Sequence, residues 1–226
     1  MTRPPEMTRS QPPRSTSAAR ATPLAAFAAA AALALVLAGC ASPQSTFYTL
    51  TDATGTTGGA PNASAPATPY AVEVSPVAVP EQVDRPQIVV TRGGGRVDIL
   101  EESRWSAPLK TELTSTISRD LTQRLGAMDV YGLPRADGLT VYRVSTSVQR
   151  FESVPGEQAA LTAVWSVRKV PGDMVLTCRF AGTEPASGGI SGVVSAQRKL
   201  VDRLADGIGN AIATSAQGTA TPRCPN

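Results

Sequence analysis

The chain has 226 residues, of which 17% are charged and 4% aromatic, with 21 Lys and Arg against 18 Asp and Glu and no histidine. Without imidazole the commonest general base, the commonest metal ligand and the Ser-His and Cys-His pairs are all excluded. Four of the basic residues and one acid precede Cys40; the remainder holds 17 of each sign, so no electrostatic case for nucleic-acid binding survives.

Residues 1–21 are rich in Pro, Ser, Thr and Arg, with Arg3, Arg9, Arg14 and Arg20 supplying positive charge. An unbroken apolar run of 15 residues follows, Leu24 to Ala38. It is short of the roughly 20 residues that cross a bilayer as a helix. A basic stretch, a short apolar core and small residues before a cut site make a signal peptide, residues 1–39. Its ending, Leu37-Ala38-Gly39-Cys40, is the pattern of the bacterial lipobox. There the cysteine sulfur takes a diacylglyceryl group and becomes the first residue of the mature chain. No Arg-Arg pair precedes the apolar core, so the general secretion route is expected.

Residues 40–69 are expected to form a lipidated N-terminus and a linker. From 51 to 69 the chain is almost wholly Thr, Gly, Ala, Pro, Ser and Asn, too small and polar to pack. As a flexible coil it would span on the order of 25 Å. The island Phe47-Tyr48-Thr49-Leu50 interrupts this composition and reads as a strand docked on the domain rather than an exposed contact segment.

A folded body is expected over 70–215. Tyr70 to Val74 alternates as a half-buried strand. Gln87–Thr91 and Arg96–Leu100 are rich in β-formers and flank Gly93-Gly94-Gly95, which predicts a hairpin. A phosphate cradle would need a following Lys-Ser/Thr and a helix, and neither is present. Ser106 is the expected N-cap of a helix, with Pro108 in its first turn. Leu109, Leu113, Ile117, Leu121 and Leu125 make its apolar stripe, and Gly126 ends it. Val130-Tyr131, Leu139–Phe151, Ala160–Val170 and Met174–Phe180 read as strands, with turns at Pro155-Gly156 and Pro171-Gly172-Asp173. A second helix of about 20 residues follows the glycine-rich 186–192, with Val193, Val194, Leu200, Val201, Leu204, Ile208 and Ile212 on its buried side. A polar tail, 216–226, closes the chain. This order predicts an α+β fold: a mainly antiparallel sheet with two helices packed on one face. Crossovers through the helices can still place some strands parallel.

Nothing in the sequence carries catalysis. Ser166 stands three residues before Lys169, but on a segment read as a strand, where positions i and i+3 point to opposite faces, and no Gly-x-Ser-x-Gly elbow occurs. Glu101-Glu102 reads as solvated charge at a helix approach rather than a glycosidase-type pair. No metal-ligand spacing and no cofactor motif is found. Once Cys40 is lipidated, Cys178 and Cys224 remain. In an oxidising compartment an even pair suggests a disulfide; the alternative is one buried and one free thiol.

One set of segments is distinctive: Phe47-Tyr48-Thr49-Leu50, then Asp84-Arg85-Pro86-Gln87-Ile88-Val89, then Arg104-Trp105-Ser106-Ala107-Pro108-Leu109. Together with the lipobox, they resemble the PqiC (YmbA) family of lipoproteins, from Cys40 to about Ala213. Phe47 stands where that family usually has tyrosine. The resemblance implies a non-enzymatic auxiliary of an ABC-type system that moves phospholipid between membranes and supports envelope integrity. It implies an outer-membrane lipoprotein facing the periplasm, an MCE-domain partner and a homo-oligomeric ring. Phe47, Tyr48, Leu50, Asp84, Arg85, Pro86, Arg104, Trp105 and Leu109 are then candidates for partner contact or for structure. A second reading is a lipoprotein that assists lipopolysaccharide or β-barrel assembly.

Overall fold

A computed structural model describes residues 43–51, 70–218 and 221–225. The leader, Cys40 and residues 52–69 lie outside the described residues. The folded unit begins at Gln44. Its strands are β1 (Thr46–Tyr48), β2 (Tyr70–Val74), β3 (Gln87–Thr91), β4 (Val97–Trp105), β5 (Thr140–Val154), β6 (Gln158–Val170) and β7 (Val175–Pro185). Helix α1 (Leu109–Leu125) lies between β4 and β5, and helix α2 (Gly189–Gln217) follows β7.

The α+β class and the two helices agree with the sequence reading. The strands, however, form two mixed sheets, ordered β1-β4-β3 and β2-β5-β6-β7. The pairings β3/β4, β5/β6 and β6/β7 are antiparallel and joined by tight turns. The pairings β1/β4 and β2/β5 are parallel, because each joins segments separated by a long connection. Glycines 93–95 all have positive φ and turn the β3–β4 hairpin, which residues with a Cβ adopt only under strain.

Several expected elements differ in detail. Ser106 does not cap α1: Pro108 occupies that position and makes no side-chain cap bond. Helix α2 has 29 residues and starts inside the glycine-rich stretch. Val130-Tyr131 is not a strand; Asp129 forms an isolated parallel bridge to Val72. The last strand runs five residues past Phe180, to Pro185. Glu101 and Glu102 lie within β4, away from the helix start.

The core lies between the helices and the inner sheet faces. Leu109, Leu113, Ile117 and Leu121 of α1 are at most 1% exposed, each worth roughly 1.5–3 kcal/mol of burial. Tyr142, Val144 and Val148 of β5 and Leu161, Ala163, Trp165 and Val167 of β6 meet them and α2 in one apolar cluster. The alternate residues of β5, Arg143, Ser145 and Ser147, are exposed, as expected of an antiparallel sheet solvated on one side. A Cβ on Gly182 of β7 would come within 2.9 Å of Leu200 Cδ2, so the missing side chain lets α2 settle close to that strand. The helices are tied by Arg198, whose guanidinium donates twice to Asp120 at 2.9 Å.

Candidate functional site

The residues singled out by motif fall in three segments far apart in sequence, and the fold joins most of them at the start of α1. Phe47 and Tyr48 run parallel beside Arg104 and Trp105. The Trp105 N–H donates to the Pro86 carbonyl at 2.7 Å, and the Ser106 N–H donates to the Tyr48 carbonyl at 2.7 Å. Leu50, Trp105 and Leu109 are buried. The Trp105 ring meets Phe151 edge-on with centroids 6.2 Å apart. At Tyr48, Leu50, Pro86, Trp105 and Leu109 the motif therefore builds a junction of the fold.

At its centre lies a residue that motif reasoning missed. Glu112, 5% exposed, accepts four hydrogen bonds. The Thr49 hydroxyl and the Leu50 N–H donate to Oε2 at 2.8 and 2.9 Å. The Ser106 hydroxyl and the Ala107 N–H donate to Oε1 at 2.6 and 3.1 Å. Four donors and no acceptor suit an ionised carboxylate, which only accepts. One side chain thus holds the N-terminal segment and also satisfies the approach to α1, the task assigned above to a Ser106 cap. A signal was present: Glu112 sits three residues after Leu109 and next to Leu113, an acid on the apolar stripe.

The remaining motif residues are more open. Arg85 Nε donates to the Gln82 carbonyl at 3.1 Å, closing a turn in which the N–H groups of Val83 and Asp84 donate to the Pro80 carbonyl. Asp84 and Lys110 are 3.8 Å apart at the surface. Arg104 Nε donates to the Glu101 carbonyl at 2.8 Å. Phe47 is 64% exposed, unlike its neighbour Tyr48.

The two remaining cysteines lie elsewhere. Cys178 on β7 and Cys224 are bonded, with sulfurs 2.06 Å apart. The bond brings the tail against the edge of the four-stranded sheet. Beside it is an open cleft of about 310 Å³ between β7 and α2, bordered by Arg179, Phe180, Arg203, Asp206, Asn210 and Pro225. Two of its charges are engaged within the fold: Arg203 with Glu184 at 2.9 Å and Asp206 with Arg124. The Arg203 guanidinium also lies over the Phe180 ring, 5.8 Å from its centre.

Among the described residues no group of three or more Cys, Asp or Glu side chains could hold a metal ion, and no helix is long and apolar enough to cross a membrane.

Residues 48–209 match the family model for the ABC-type transport auxiliary lipoprotein component. The chain belongs to this family. The match begins at Tyr48, inside the docked strand, and ends within α2, so it covers the junction around Glu112. No curated protein matches the auxiliary lipoprotein chain. Two crystal structures share its fold. A Xanthomonas campestris protein of the DUF330 family is 20% identical with a TM-score of 0.58, over 77% of this chain and 99% of its own. An uncharacterized protein is 15% identical with a TM-score of 0.59, over 75% and 99%. Membership in the auxiliary lipoprotein family supports an accessory role in the cell envelope.

Proposed function

We propose that the mature protein is lipidated on Cys40 and serves, without catalysis, as the envelope accessory of an MCE/ABC-type system moving phospholipid between membranes. The observation that carries this reading is the family match over 48–209, directly downstream of Leu37-Ala38-Gly39-Cys40. The lipid, with acyl chains such as palmitate, holds the domain in the outer membrane facing the periplasm, where an MCE-domain protein of the same system binds it. Ala41 follows the cysteine, in place of the aspartate that retains many lipoproteins at the inner membrane. The domain acts by holding a position and a partner, with several copies assembling into a ring.

Two measurements test the proposal. Mass spectrometry of the mature N-terminus should find diacylglycerol and acyl mass on Cys40. Tagged mature protein, mildly crosslinked in the envelope, should recover an MCE-domain protein. Recovery of a β-barrel assembly or lipopolysaccharide-export protein in its place would favour the assembly reading.

A further inference from the structure

The docked strand changes the length of the leash. If the fold began at Tyr70, thirty residue steps would separate it from Cys40, an extended reach of about 100 Å. But β1 is part of the domain. Its backbone pairs with Ser103, Arg104 and Trp105, Leu50 is fully buried, and Glu112 holds Thr49 and Leu50. Six residue steps lead from Cys40 to Thr46, at most about 20 Å when fully extended. The segment 52–69 then joins two fixed points of one domain and adds nothing to that reach.

A short leash makes one side of the domain face the membrane, and the side carrying β1 has the surface for it. Paired strands point register partners to the same face. Tyr48 and Trp105 enter the core, so Phe47 and its partner Arg104 point outward. The same sheet exposes Val97 (53%) and Ile99 (41%). Arg92 and Arg96 flank the hairpin tip and share Asp98, with Arg96 73% exposed, and Arg104 pairs with Glu101 on the same face. Two arginines to one aspartate leave the tip with an excess of positive charge, and an exposed apolar surface beside it suits the boundary between acyl chains and phosphate headgroups.

We propose that the outer face of the β1-β4-β3 sheet, with Phe47 at its edge, rests on the lipid surface that holds the Cys40 anchor. This proposal depends on lipidation of Cys40, and its test separates the two.

The test uses the mature, lipidated full-length chain in phosphatidylethanolamine–phosphatidylglycerol vesicles, with ordinary or brominated acyl chains that quench nearby tryptophan. A tryptophan is placed at the membrane face (Phe47→Trp) or at the exposed β6–β7 turn (Asp173→Trp). The native Trp105 and Trp165 are buried and give a constant background. Added fluorescence from Phe47→Trp should fall about twofold on brominated vesicles, and that from Asp173→Trp should hold. Flotation with the vesicles reports the anchor independently. A chain that floats while both positions respond alike, or Phe47→Trp does not respond, overturns the membrane-facing assignment and leaves the anchor standing. A chain that does not float, like the Cys40→Ser control, overturns both.

Discussion

The backbone N–H of Leu50 donates to Glu112 Oε2 at 2.9 Å, across 62 residues of sequence. This contact joins the segment just after the lipobox to the first turn of α1, and the same carboxylate receives Ser106 and Ala107. Glu112→Ala would strand these donors at a buried site. Each unsatisfied buried group costs about 1–3 kcal/mol, and water entering the gap offsets part of the sum. We expect a loss of about 3 kcal/mol in denaturant unfolding, with earlier proteolysis between residues 43 and 51. Stability within experimental error of the wild type would show that the clasp contributes nothing.

Cys178 and Cys224 close a loop with a sequence separation of 46. Restricting the unfolded chain in this way stabilises a protein by about 2–4 kcal/mol. The Cys178→Ala/Cys224→Ala pair should therefore unfold at lower denaturant concentration than the oxidised protein. It should match the reduced wild type. Two titratable thiols in unfolded, unreduced mature protein would contradict the bond.

Arg198 and Asp120 link the helices with side chains 13% and 10% exposed, and Arg198 also reaches Asp202 at 2.8 Å. Asp202 still faces Arg198 when Asp120 is removed, so Asp120→Ala should cost about 1.5–3 kcal/mol, the range for hydrogen bonds to charged groups. Replacing both, as Asp120→Leu/Arg198→Met, should recover much of that loss, because a well-packed apolar pair can equal a buried ion pair. A double variant worse than the sum of its single changes would argue against this account.

Tyr70 packs edge-on against Tyr142 with ring centroids 5.3 Å apart. Burial, and then the neighbouring Tyr142, raise its pKa above the ordinary 10.0. The folded protein thus holds this proton more tightly than the unfolded chain does. The associated stability is fully present below the unfolded value and is lost as pH rises through the folded one. Unfolding free energy should decline above pH 10, and Tyr70→Phe should lessen that decline. An equal decline in both proteins would assign the effect to other groups.

What could be read from the sequence is what nearby residues decide. The leucine stripe of α1 depends on a four-residue spacing. The β3–β4 hairpin depends on three glycines, and the β5–β6 turn on Pro155-Gly156. Each is settled within a few residues, so composition and period are enough. The Leu37-Ala38-Gly39-Cys40 pattern is equally local. The motif segments could be recognised from sequence, but their shared junction could not, because its contacts span up to 63 residues.

Tertiary structure alone decided three things. It split the strands into two sheets, because parallel partners are chosen by long crossovers that leave no local mark. It made Glu112 the acceptor for two distant segments, since a carboxylate takes whichever donors the packing brings to it. And it gave β1 its partner: the island Phe47-Tyr48-Thr49-Leu50 reads from sequence as a docked strand, but nothing local says that it pairs with β4. Sequence composition marked 51–69 as a linker without saying that both its ends are fixed in one domain. Pairing of β1 with β4 shortens the tether to the few residues before Thr46, because a chain's reach is set by its first fixed point and not by its first long run of helix or strand.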